Sequence, residues 1–78
     1  RKLSYKQQRA LDDLPRRIEV LQAEIAVLNT KLADSALYAR DPADFNAAMK
    51  KLSATQAALT TAEDEWLELE TLREELAG

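Results

Sequence analysis

From Leu11 to Leu32 the apolar residues fall at Leu11, Leu14, Ile18, Leu21, Ile25, Leu28 and Leu32, with spacings that alternate between 3 and 4. This is a heptad seam with a period of about 3.5, and it predicts an amphipathic helix supercoiled left-handedly against a partner. Leu11, Ile18, Ile25 and Leu32 take position a, and Leu14, Leu21 and Leu28 take position d. A second seam runs through Phe45, Leu52, Leu59 and Trp66, with Ala48, Thr55, Ala62, Leu69 and Leu76 at its d positions and Met49 on its flank. Ala48, Thr55 and Ala62 are small, so the second helix can approach its partner closely there.

Between the seams, the stretch from Asp34 to Pro42 breaks the pattern. Asp41 and Pro42 together form a helix start. Asp serves as N-cap, Pro follows at the first helical position where its missing N–H costs nothing, and Asp44 suits the positive end of the helix dipole. A connection of about five residues favours antiparallel neighbours, so the two seams should form an αα-hairpin. In an antiparallel register where facing residue numbers add up to about 77, Leu32 meets Phe45, Leu28 meets Met49 and Ala48, Ile25 meets Leu52, Ile18 meets Leu59, and Leu11 meets Trp66.

Pro15 interrupts the first seam. It cannot donate to the Leu11 carbonyl and it biases Leu14 away from the α region, at a cost of about 3 kcal/mol for an unbroken helix, so a break is expected at Leu14-Pro15. The expected layout is an N-terminal capping segment over 1–14, a first long helix over 15–36, a turn over 37–41 and a second long helix over 42–77. Within the capping segment, Ser4 should cap a short helix from Tyr5 to Asp12. The expected fold class is all-α: an antiparallel two-helix coiled-coil hairpin with a short N-terminal helical segment packed at its open end. There Leu3, Tyr5 and Leu11 would cover Trp66, Leu69 and Leu76. A two-helix hairpin has little interior, which leaves both a monomer and a weak homodimer open.

Composition narrows the class. At 78 residues there is room for one small domain. The chain is 46% hydrophobic, 32% charged and 5% aromatic, the profile of long helices. It holds no stretch resembling a membrane span or a signal peptide, so a cytoplasmic location without a membrane partner is expected. The absence of Cys and His removes thiol nucleophiles, imidazole bases and thiolate or imidazole metal ligands. The sole glycine is Gly78, so no glycine-rich loop can cradle a phosphate and no cofactor is expected in this chain. The fragment itself should be non-catalytic. It begins with Arg1 rather than Met, as expected of a piece of a larger protein.

Charge is distributed unevenly beneath a net of -3. Residues 1–17 carry Arg1, Lys2, Lys6, Arg9, Arg16 and Arg17 against Asp12 and Asp13, while residues 63–78 carry Glu63, Asp64, Glu65, Glu68, Glu70, Glu74 and Glu75 against Arg73. The hairpin brings both segments to its open end. Either they neutralise each other across the helix pair, or the basic segment turns outward and tracks the phosphates of a nucleic acid. At the tip, Lys50-Lys51 with Ser53 and Thr55 is a weaker candidate contact with nucleic acid. Trp66, at an a position, either packs in the core or offers a ring for base stacking.

Three strings carry a family resemblance: KLSYKQQRALDDLPRRIEVLQAEI at the start, LADSALYARDP in the middle and DEWLELETLREEL near the end. Together they resemble the C-terminal domain of the ABC-F ATPases over nearly the entire chain. The most specific parts are Lys2-Leu3-Ser4-Tyr5-Lys6 with Arg9, Leu14-Pro15 ahead of Ile18-Glu19, and Trp66 followed by Leu69-Glu70. The resemblance implies a cytoplasmic protein with two ATP-binding cassettes, to which ATP, Mg and hydrolysis belong, and an appended antiparallel coiled coil. It implies that such a coiled coil contributes to DNA binding, and that an arm of this family can approach ribosomal RNA. The nucleic-acid-binding residues expected here are Arg1, Lys2, Lys6, Arg9, Arg16 and Arg17. The family often has Arg just before the Trp, where this sequence has Glu65. The competing expectation is a regulatory hairpin that docks on its own ATPase cassettes or on the ribosome.

Overall fold

A computed structural model describes residues 2–78 of the chain. The described residues form a rod with principal extents of 58 × 15 × 15 Å. The two long helices are α1, Tyr5–Leu32, and α3, Pro42–Ala77; a single turn of helix, α2, Leu37–Arg40, lies between them. The 36 residues of α3 run for about 54 Å at 1.5 Å each, so this one helix sets the length of the rod.

Two kinds of polar cap start the long helices. Ser4 accepts a hydrogen bond on its hydroxyl from the Gln7 N–H at 3.1 Å, and the Gln7 side chain accepts one from the Ser4 N–H at 3.0 Å. This reciprocal box satisfies two donors that the first turn would otherwise leave without partners. At the tip, the Asp41 carboxylate accepts from the Asp44 N–H at 3.1 Å and Pro42 follows as the first helical residue, as the sequence signal predicts.

The d residues form the tightest layer. Leu14, Leu21 and Ala62 make up a buried cluster, against which Ile18, Ala58, Leu59, Trp66 and Leu69 pack. Leu21 shares a groove with Thr55 and Ala58, and Lys31 pairs with Asp44, so the antiparallel register holds to within about two residues. Ala48, Thr55 and Ala62 are all buried, and it is their small side chains that let the leucines of α1 sink against the α3 backbone. Thr55 is no surface contact residue: its hydroxyl donates to the Lys51 carbonyl at 2.7 Å, which makes this buried polar atom tolerable. Apart from the buried Leu11, the a residues, Ile18, Ile25, Leu52 and Leu59 among them, are half-buried, as expected where two helices alone must close a seam.

The structure corrects two boundaries. There is no break at Pro15, and α1 runs through it from Tyr5 to Leu32, so the separate capping segment over 1–14 and the helix start at 15 do not occur. The lost bond leaves the Leu11 carbonyl without its helical N–H partner. Leu11 and Leu14 on the near side and Leu21 on the far side are all buried against α3, and their burial holds both halves of the helix in line. The second correction is at the tip, where α1 ends at Leu32 rather than near Ala36, and the connection contains α2 instead of an irregular turn over 37–41. Asp34 sets this geometry, since its side chain accepts from the Ala36 N–H at 3.0 Å and its carbonyl from the Leu37 N–H at 3.1 Å. The turn drives Leu37 into the end of the seam, where it is the most buried leucine, 3% exposed.

Candidate nucleic-acid interface

Of the six basic residues expected to meet phosphate, Arg1 lies outside the described residues. Lys2, Lys6, Arg9, Arg16 and Arg17 are all exposed. Lys2 precedes the Ser4 cap, and the other four lie on α1. At 100° per residue, Lys6, Arg9, Arg16 and Arg17 fall within an arc of about 100° that excludes the core stripe of Leu11, Leu14, Ile18 and Leu21. A straight α1 matters here, because a break at Pro15 would have turned Arg16 and Arg17 away from Lys6 and Arg9. The unbroken α1 therefore brings the basic residues onto one surface.

Within the arc, Arg9 makes a long ion pair with Asp13 at 3.5 Å and donates to the Tyr5 hydroxyl at 3.1 Å, so its guanidinium lies along the helix between the two. The Arg9–Asp13 pair is well exposed on both sides and so contributes little to stability. Among the described residues, Lys2, Lys6, Arg16 and Arg17 form no ion pair.

Nor do the two charged segments form ion pairs with each other across the hairpin: among the described residues none links residues 2–17 with 63–78, and the acidic end of α3 satisfies Arg73 locally, through Glu70. The Glu70 carboxylate raises the Arg73 pKa above the ordinary arginine value. The tip is different. There Lys31 on α1 pairs with Asp44 on α3 at 2.8 Å, and Arg40 pairs with Asp34 at 2.9 Å. The Asp34 carboxyl is held below its ordinary pKa, chiefly by the Ala36 N–H and then by Arg40. Lys50 and Lys51 are exposed on α3.

Trp66 takes an intermediate position that neither sequence reading describes. One side of it packs on the core cluster, and it also lines an open groove of about 470 Å³ with Pro15, Ile18, Glu63 and Leu67. Leu67, 59% exposed, was not singled out by the heptad pattern because it sits outside both a and d. Among the described residues no cluster of acidic side chains is placed to hold a metal, and no helix is long and apolar enough to cross a membrane.

The chain matches the family model described as the ABC transporter C-terminal domain over residues 2–71. It is 52% identical over 77 residues to the ATP-binding protein Uup of Caulobacter vibrioides, covering 99% of this chain and 13% of that protein. It is 40% identical over 77 residues to the ATP-binding protein Uup of Haemophilus influenzae, covering 99% of this chain and 12% of the relative. The similarity to the ATP-binding protein Uup of Escherichia coli is 33% over 72 residues, or 92% of this chain and 11% of that protein. The chain thus spans between 11% and 13% of the length of these curated relatives. No solved structure matches it with significance.

Proposed function

The chain belongs to the ABC transporter C-terminal domain family, as the C-terminal domain of an Uup-like ABC-F protein, and on that premise we propose that it is an accessory arm whose basic α1 face binds DNA without reading its sequence. The match falls on an accessory domain rather than on an ATPase cassette, and the chain is non-catalytic. In this reading ATP and Mg bind to cassettes elsewhere in a cytoplasmic protein, and the arm supplies a second point of attachment to their substrate.

The observation that carries the reading is the arc of Lys6, Arg9, Arg16 and Arg17 on one uninterrupted helix, exposed and left unneutralised by the acidic end of α3. A row of cations along a straight helix can follow a phosphate backbone, but it offers no fixed donor and acceptor pattern for base edges. Binding should therefore be tolerant of sequence. The acidic balance of the rest of the chain, with a net charge of -3, limits affinity and confines contact to this face.

Fluorescence anisotropy with a short labelled duplex tests the proposal. If four phosphates are neutralised, the binding constant should fall by about two orders of magnitude between about 50 and 200 mM salt. Duplexes of unrelated sequence should bind alike. A structured RNA run in parallel separates DNA from ribosomal RNA as the preferred partner. Absence of binding at low salt, or binding indifferent to neutralisation of the arc, overturns the proposal.

A further inference from the structure

The groove at the open end lies on a different side of α1 from the basic arc. Its apolar lining is made by Pro15 and Ile18 of α1 and by Trp66 and Leu67 of α3, with Glu63 at its edge. Residues 3 and 4 positions away on a helix are surface neighbours, and those neighbours here share one chemistry. Around Pro15 they are Leu11, Asp12, Ile18 and Glu19; around Trp66 they are Ala62, Glu63, Leu69 and Glu70; Leu67 adds Asp64 and Thr71. No Lys or Arg stands at any of these positions; the nearest cation, Arg16, lines the adjoining depression with Asp12, Pro15 and Glu19. Glu70 is occupied by Arg73, but Asp12, Glu19, Glu63 and Asp64 make no ion pair among the described residues. An apolar floor is thereby rimmed by unpaired carboxylates from both helices.

From this we infer that the Pro15–Trp66 groove is a docking site for a basic amphipathic helix of a partner polypeptide. Apolar side chains at helical spacing would fill the space over Ile18, Trp66 and Leu67. Flanking Lys or Arg side chains would lay their aliphatic stems on Pro15 and the Trp66 ring and reach Asp12, Glu19 and Glu63 with their charged ends. A nucleic acid is refused by the same rim, since its phosphates would face carboxylates. The open end of the arm therefore has two adjoining faces of opposite charge that meet between Arg16 and Glu19, one for nucleic acid and one for a basic protein segment.

Trp66 is the single tryptophan of the chain and lines the groove, so its emission reports occupancy directly. The probe is a helical peptide of leucine and lysine with the leucines spaced to form one stripe, compared with an isomer of identical composition and scrambled order. The striped peptide should shift Trp66 emission to the blue and saturate, with the isomer binding about tenfold more weakly or worse. Glu63→Lys and Leu67→Ser, both at open positions, should each weaken the striped peptide by about tenfold while circular dichroism stays unchanged, and Arg16→Gln should leave it bound. Equal binding of the two peptides, or indifference to both groove variants, overturns the inference. So does sedimentation showing that the chain alone self-associates through a contact that Glu63→Lys disrupts, because the occupant would then be a second copy.

Discussion

The tip and the open end of the hairpin both carry charges of each sign and use them differently. At the tip, Lys31 reaches across to Asp44, Arg40 folds back on Asp34, and Asp34 and Asp41 bind backbone N–H groups. The Tyr38 and Phe45 rings meet edge to face, with centroids 5.3 Å apart, above a buried Leu37. Polar groups there close the chain. At the open end the cations of α1 and the carboxylates of α3 form no such cross-links among the described residues, and what pairs exist lie within one helix. A fold that can pair charges across its helices at one end and leaves them apart at the other keeps the second set available for partners.

The sharpest way to break this comparison is through the core. Leu21, 4% exposed in the buried cluster, should cost about 2–3 kcal/mol as Leu21→Ala, near the lower end for leucine truncation because a two-helix seam admits water into the gap. Leu37→Ala at the tip should cost about 2 kcal/mol, in both cases by urea unfolding. A negligible loss at Leu21 would mean that the tip alone holds the hairpin.

Next in size is binding. Arg16→Gln with Arg17→Gln should weaken duplex DNA about tenfold at low salt, whereas Lys50→Gln with Lys51→Gln should change it by about twofold or less, in anisotropy titrations. Comparable losses from both pairs would erase the functional distinction between the ends. Asp41→Ala should then cost about 1 kcal/mol through loss of the α3 cap, with faster amide exchange confined to the first turn of α3.

The smallest effect is pH-dependent. The folded-state pKa of Asp34 is lowered, so its contribution is present above the ordinary carboxylate value of 3.8 and is lost as pH falls through the lower folded value. Both partners are exposed, which makes the effect small and sensitive to salt. A carboxyl chemical-shift titration should find Asp34 below the ordinary value, and acidification should loosen α2 before it disturbs the Leu14–Leu21–Ala62 cluster.

The sequence makes the hairpin legible because a seam repeating every seven residues has few ways to be buried, and because Asp41-Pro42 is a start signal with a single local meaning. Family membership was equally legible from the strings around Tyr5, Pro15 and Trp66. The break expected at Pro15 does not form, because the missing N–H is a local cost that the buried leucines on either side outweigh in holding α1 straight. Leu37 was hidden because its burial depends on a turn made by Asp34 rather than on periodicity. The groove was hidden for a related reason, since Leu67 belongs to neither heptad position and becomes part of a surface only when α1 brings Pro15 alongside.

The most direct test of the two-ended account is a chemical-shift titration of the isotope-labelled chain with short duplex DNA at low salt. The account predicts shifts concentrated on the residues from Lys2 to Arg17, with the tip around Lys50 and Lys51 unmoved. Shifts centred on the tip, or none at all, would contradict it.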